Sequence, residues 1–211
     1  MEASKRADLS RDKILNASRV LFGTHGFHQT AMSELAACAG VSVGQVYRFF
    51  VSKSEIILAI VREDADARLR SVEAILDEFV NSRICVTGAF ERLLEESMEA
   101  DCGALSFEIL AEAHRTPPVA ELITSLCARY RASLRCLASA VNPDLSEEDL
   151  EGASELLLAC LFGLSHRHFV QPSLSSKEAA SRGARMIVAS LMAANGSTRT
   201  DAAAWVRPVS H

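Results

Sequence analysis

The chain has little of what builds a membrane protein, a disulfide-stapled domain or a β-sheet. Its longest strongly apolar run, Leu156 to Leu164, ends after nine residues at Ser165, His166 and Arg167, well short of the roughly 20 needed to span a bilayer. The opening MEASKRADLSRDK has no apolar core of a secretory signal, so a cytoplasmic protein without a membrane partner is expected. Aromatic residues make up 6% and alanine and leucine outnumber the β-branched types. Period-two alternation is never sustained, which argues against strands. Cys38, Cys85, Cys102, Cys127, Cys136 and Cys160 form no C-x-x-C pair and no Cys/His spacing of a zinc site. They are expected to pack as small hydrophobes on helical faces, with thiol sensing the alternative. No nucleophile elbow, phosphate loop, H-E-x-x-H or carboxylate pair within an apolar pattern occurs. No catalytic residue, metal or cofactor is therefore expected.

What is present is helical periodicity. With 49% hydrophobic residues over 211 positions the chain can bury a sizeable core. Met32, Leu35, Ala36 and Ala39 fall at i, i+3, i+4 and i+7, and Val43, Val46, Tyr47 and Phe50 repeat the template. Two short helices are predicted. Gly40 stands where the first would end in a left-handed cap, and Ser42 with Gln45 reads as a capping box for the second. Two short helices across a tight glycine turn make a helix-turn-helix, whose second helix fits a DNA major groove.

Gly26-Phe27, Thr30, Glu34-Leu35-Ala36, Ala39-Gly40-Val41-Ser42, Gly44, Val46-Tyr47, Phe50 and Ser52-Lys53 stand in an order and spacing that resembles the DNA-binding domain of TetR-type transcriptional regulators. The likeness covers roughly the first quarter of the chain; the rest agrees in helical pattern and length. Ala31 stands where the family often has a threonine, and Gln45 where threonine or serine is frequent, so the operator sequence does not carry over.

An all-α, nine-helix fold is expected: a helix-turn-helix domain over 1–54, a helical ligand-sensing and dimerisation domain over 55–194, and a loose tail over 195–211. Ser10 is expected to cap the first helix, Thr30 the second, Ser42 the third, and Ser52 with Glu55 a long fourth helix running to about Val80. Later helical patterns cover about 83–100, 103–114, 117–141, 147–169 and 176–194, broken at Thr116-Pro117-Pro118, Asn142-Pro143-Asp144 and Gln171-Pro172-Ser173. Net charge is −5, yet over residues 1–55 seven bases face five acids, against 15 bases and 22 acids beyond. The amino-terminal end is the one suited to a polyanion.

The resemblance implies double-stranded operator DNA, a second copy of the chain and a small-molecule ligand as partners. Most simply this is a repressor released from a palindromic operator by a hydrophobic or amphipathic molecule. A thiol-switched regulator is the alternative, with a helical-bundle enzyme behind it. For DNA the candidates are Thr30, Ser42, Val43, Gly44, Gln45, Tyr47, Arg48 and Lys53. Gln45 suits an adenine edge unless its cap occupies it, Arg48 a guanine edge or a phosphate, and Val43 a thymine methyl. Gly44 permits close approach. The Tyr47 hydroxyl reaches phosphate from a ring on the apolar stripe, Thr30 shares its hydroxyl between cap and phosphate, and Lys53 clamps a phosphate, as the family implies. Pocket candidates are Met98, Phe107, Glu108, Leu110, His114, Tyr130, Phe162, His166 and Phe169. Glu108 and Glu112, spaced i, i+4, are expected to meet Arg115 in a surface ion pair. The dimer stripe is read as Ala153, Leu157, Cys160, Leu161 and Leu164 with Ala180, Gly183, Ala184, Ile187 and Leu191, pairing as a four-helix interface.

Overall fold

The computed structural model describes residues 2–99 and 103–194, with side chains from residue 9 onward. Cys102, Trp205 and the expected tail lie outside the described residues. Among the described residues the chain forms nine α-helices and no strand. They are α1 (Glu2–His25), α2 (Met32–Ala39), α3 (Val43–Phe49), α4 (Lys53–Val80), α5 (Val86–Glu99), α6 (Ala104–Ala113), α7 (Pro117–Val141), α8 (Glu147–Ser165) and α9 (Ser176–Ala193). A short 3-10 turn, Arg167–Val170, joins the last two. None of these helices is long and apolar enough to cross a membrane.

Most of the predicted punctuation holds. Gly40 takes φ 65° and the Val41 amide bonds the Ala36 carbonyl at 3.0 Å, closing α2 with the left-handed cap that glycine favours. Ser42 Oγ accepts from the Gln45 amide at 3.2 Å while Gln45 Oε1 accepts from the Ser42 amide at 2.9 Å. Ser52 accepts from the Glu55 amide, and Ser146 from that of Asp149. Glu55 itself reaches one residue further back, to the Val51 amide at 2.6 Å.

Three boundaries differ. α1 begins at Glu2, so Ser10 lies inside it rather than capping it; the preceding EASKRADL is rich in strong helix formers and needs no later start. Ala31, not Thr30, is the N-cap of α2. α8 stops at Ser165 instead of continuing to 169 because Ser165 Oγ and His166 Nδ1 both turn back onto the Phe162 carbonyl, at 2.7 and 3.0 Å. Such side-chain bonds compete with the helical ladder.

Two cores result. The first gathers Ile14, Phe22, Leu35, Val46, Ile56 and Ile60 and continues to Val119 on α7, with Leu105 and Ile109 of α6 packed against it. The second joins Ile75, Phe90, Leu94, Leu134 and Leu137 to Ala180, Ala184 and Leu191 of α9. α4 runs through both. The complete burial of Val119 contributes about 2 kcal/mol to holding α7 against the helix-turn-helix, so the amino-terminal unit is seated on α6 and α7 rather than strung from a linker.

Candidate nucleic-acid interface and internal cavity

α3 is fixed at both ends and along one side, and free on the other. Val46 and Phe50 are buried, the capping box sets the first turn, and the Phe50 amide bonds the Val46 carbonyl at 2.9 Å. Val43, Gly44, Gln45, Tyr47 and Arg48 are all exposed. This corrects the apolar stripe read from spacing: Val43 and Tyr47 share its period, but Tyr47 is 52% exposed and belongs to the outer face. A Cβ built on Gly44 would meet nothing within 4 Å, so the fold itself does not demand glycine there. The Arg48 guanidinium lies 5.7 Å from the Phe49 ring centre. Gln45 spends its carbonyl oxygen on the cap, which leaves its amide nitrogen outward and removes the two-pronged adenine contact unless the cap opens.

Two expected DNA contacts are spent inside the fold. Thr30 is 1% exposed, and its hydroxyl donates to the Gly26 carbonyl at 2.9 Å, closing the end of α1. Lys53 Nζ donates to the carbonyls of Phe27, His28 and Thr30 at 2.7, 3.0 and 2.9 Å and sits 4.9 Å from the Phe27 ring centre. An ammonium has three protons, and all three go to this loop. Burial lowers the Lys53 pKa from its ordinary value, with the Glu112 charge opposing that shift.

The positive balance of the amino-terminal end shrinks for the same reason. Arg19 Nη1 binds both Asp64 carboxylate oxygens, at 2.7 and 2.8 Å, and its Nη2 meets Glu63 at 3.1 Å; Arg11 meets Glu63 at 2.6 Å. These acids lie on α4, beyond the segment whose charges favoured DNA, so the local count overstated the field.

α6 grips the same loop from below. Glu108 Oε2 accepts from the Phe27 amide at 2.9 Å. Glu112, read from sequence as a surface charge, is 3% exposed. Its Oε1 accepts from the Thr116 hydroxyl, while Oε2 has no hydrogen bond among the described residues and lies 3.5 Å from His28 Nε2. Arg115 makes no ion pair with either carboxylate among the described residues; its Nη1 donates to the Ala111 carbonyl at 3.2 Å and lies 3.5 Å from His28 Nε2. Spacing i, i+4 correctly placed both carboxylates on one side of α6, but that side faces the α1–α2 loop.

Between α4, α5, α6, α7 and α8 lies a cavity of about 370 Å³ with largely aliphatic walls. Leu110, Tyr130, Phe162 and His166 line it as expected. Met98, Phe107, Glu108, His114 and Phe169 do not. Met98 sulfur accepts from Arg167 at 2.9 Å, Phe107 and Phe169 stack edge to face at 5.7 Å on the outside, and His114 is exposed at the end of α6. Sequence reading missed the α4 and α5 wall, Asp64, Ser71, Glu96 and Ser97 among others, because those residues carry no apolar signal.

The predicted dimer stripe is largely inward. Leu157, Ala180, Ala184 and Leu191 are buried in the second core, and a Cβ on Gly183 would lie 3.1 Å from Leu94 Cδ1. Ala153, Leu161, Leu164 and Ile187 are half-buried against that core; only Cys160 is exposed. The outward arcs are Leu156, Ala159, Cys160 and Gly163 on α8, and Met186, Ala189 and Met192 on α9. Cysteine burial fails in the same way: Cys38, Cys85, Cys136 and Cys160 are exposed and Cys127 is half-buried. No cluster able to hold a metal is found among the described residues.

Residues 14–60 match the family model of bacterial regulatory proteins, tetR family. Over 124 residues the chain is 35% identical to the HTH-type transcriptional regulator UidR of Escherichia coli, an alignment covering 56% of this chain and 58% of that protein. Among solved structures, a TetR-family transcriptional regulator from Mesorhizobium loti superposes with a TM-score of 0.71 at 21% identity, covering 90% of this chain and 98% of that one. GusR of Salmonella enterica superposes with a TM-score of 0.59 at 29% identity, covering 86% and 91%.

Proposed function

Because the chain belongs to the tetR family of bacterial regulatory proteins, we propose that it is a homodimeric repressor released from a palindromic operator by a small hydrophobic or amphipathic molecule. The observation that carries this is the outer face of α3: Val43, Gly44, Gln45, Tyr47 and Arg48 exposed on a helix capped at its start and pinned by Val46 and Phe50. In this reading Arg48 addresses a guanine edge, Val43 a thymine methyl and the Gln45 amide nitrogen a base acceptor. Tyr47 donates to phosphate, Ser42 holds the helix start, and Gly44 lets the duplex approach the backbone. Residues 1–54 form the reading head, and 55–194 sense and dimerise.

The exposed arcs of α8 and α9 supply the self-contact, four helices in all from two copies. Symmetry then sets two α3 helices roughly 34 to 36 Å apart for successive major grooves. The cavity supplies the ligand site. Its walls include Asp64, which anchors Arg19 of α1, and α6, whose opposite side holds the α1–α2 loop through Glu108. A ligand that fits only one arrangement of α4 and α6 shifts the head by its differential affinity. About 1 to 3 kcal/mol of coupling gives a roughly 5-fold to 150-fold change in DNA affinity.

The test is retention of fragmented genomic DNA on the purified protein at near-physiological salt with competitor, followed by sequencing. Recovery of one or a few palindromic sites supports the reading. Uniform, salt-sensitive retention refutes a specific operator.

A further inference from the structure

The hydrogen-bonding capacity that the cavity leaves unused identifies the polar end of its ligand. Most polar wall groups are already engaged. Asp64 is neutralised by Arg19, Ser97 Oγ donates to the Leu161 carbonyl at 2.6 Å, and Ser165 and His166 bond each other at 2.9 Å and both reach the Phe162 carbonyl. Arg68 is engaged too, and Ser106 Oγ donates to the Gly103 carbonyl at 2.9 Å and lies 3.0 Å from His166 Nε2. Two groups remain. Glu96 accepts from the Ser71 hydroxyl through Oε2 and forms no ion pair among the described residues; Arg92, one turn back, feels its charge but is bound to Glu78 at 2.5 Å. The Tyr130 hydroxyl makes no hydrogen bond among the described residues.

A carboxylate with no ion pair of its own beside aliphatic walls favours a cation and repels an anion. We infer that the ligand is an amphipathic organic amine, its apolar body among the cavity's aliphatic side chains and its ammonium on Glu96, within reach of the Tyr130 hydroxyl. This deepens the sensing role proposed above and rests on it. Burial raises the Tyr130 pKa, the Arg68 charge opposing the shift and the Glu96 charge adding to it, so the phenol remains a donor for any acceptor on the same head group. Selection is by charge at one end of the cavity; the rest of the wall accepts any apolar body of fitting volume.

The test uses three probes with one apolar body: phenylbutylamine, phenylbutanol and phenylbutyrate, titrated calorimetrically into the full-length protein near neutral pH. The amine binds about ten-fold or more tighter than the alcohol, as a desolvated charge-assisted contact gives, and the carboxylate binds weakest. Glu96→Gln removes the preference for amine over alcohol, and Glu96→Asp, which keeps the charge, retains it. Leu126→Trp, which fills the cavity, abolishes binding of all three. Equal or tighter binding of the alcohol or carboxylate, or an unchanged preference in Glu96→Gln, overturns the head-group assignment while leaving a ligand cavity. No binding by any probe, or binding untouched by Leu126→Trp, overturns the cavity's sensing role and this inference with it.

Discussion

Replacing Lys53 with methionine keeps the aliphatic stem and removes only the ammonium. Three carbonyls of the α1–α2 loop then lose their donor, at distances of 2.7, 3.0 and 2.9 Å. Hydrogen bonds to a charged group are each worth about 1.5 to 3 kcal/mol. The three share one ammonium and its single desolvation cost, and the carbonyl of His28 still has access to water, so the sum is not available. A loss of about 2 to 3 kcal/mol is the working figure. At about 2 to 4 °C per kcal/mol for a chain of this size, the melting midpoint falls by roughly 5 to 10 °C.

Thermal unfolding followed by circular dichroism measures that shift, and the salt dependence of binding to a recovered DNA site measures the competing role. A lysine that contacts phosphate makes the opposite pair of marks: an unchanged midpoint, and a salt slope reduced by about one unit. That pair of results for Lys53→Met refutes the argument that this lysine's protons are consumed within the fold.

Gly44→Ala raises stability by about 0.5 to 1 kcal/mol, since alanine is the better helix residue and the added methyl meets nothing, yet it weakens DNA binding; a melt and a binding isotherm on one preparation check both signs. Tyr130, whose pKa burial raises from the ordinary 10.0 to about 12, forms tyrosinate only near pH 12 in the folded Tyr47→Phe protein, read by absorbance. The folded state holds this proton more tightly than the unfolded one, so its contribution to stability is present below pH 10 and is lost as pH rises toward 12. Gly183→Leu forces bulk against Leu94 across the α5–α9 contact and destabilises each protomer by about 1 to 3 kcal/mol, without acting first on association. Leu156→Glu, on an exposed arc, leaves the melting of a dilute monomer unchanged and shifts sedimentation from dimer toward monomer.

The helices were legible because their signals are local. Gly40, the Ser42–Gln45 box and Ser146 act within four residues of themselves, so no knowledge of the remainder of the chain was needed. The roles of Lys53 and Glu112 were not legible. Each is a charged residue at a helical position where solvent is the default; Lys53 is drawn inward by carbonyls 23 to 26 residues back, and Glu112 is covered by the distant α1–α2 loop, with Oε2 3.5 Å from His28 Nε2. Their residue types gave no warning, because a loop rich in unpaired carbonyls has no sequence signature.

α8 carries the same lesson at finer grain and bears on the proposed dimer. Residues Leu156 to Leu164 are apolar almost throughout, so periodicity had no polar side against which to set the inward direction. Leu157 and Leu156 are adjacent and chemically identical, yet the first is 7% exposed and the second 68%. A helix with apolar residues on both sides has two packing partners or one unsatisfied face. α5 and α7 take the side bearing Leu157. The arc of Leu156, Ala159, Cys160 and Gly163 has none among the described residues, and the small residues in it let another helix come close. Met186, Ala189 and Met192 continue the exposed surface on α9, with methionines able to adjust their shape to a facing copy. The segment that reads in sequence as a single over-long apolar stripe is therefore two stripes back to back, one closing the protomer's own core and the other exposed, the face that the proposed dimer would use.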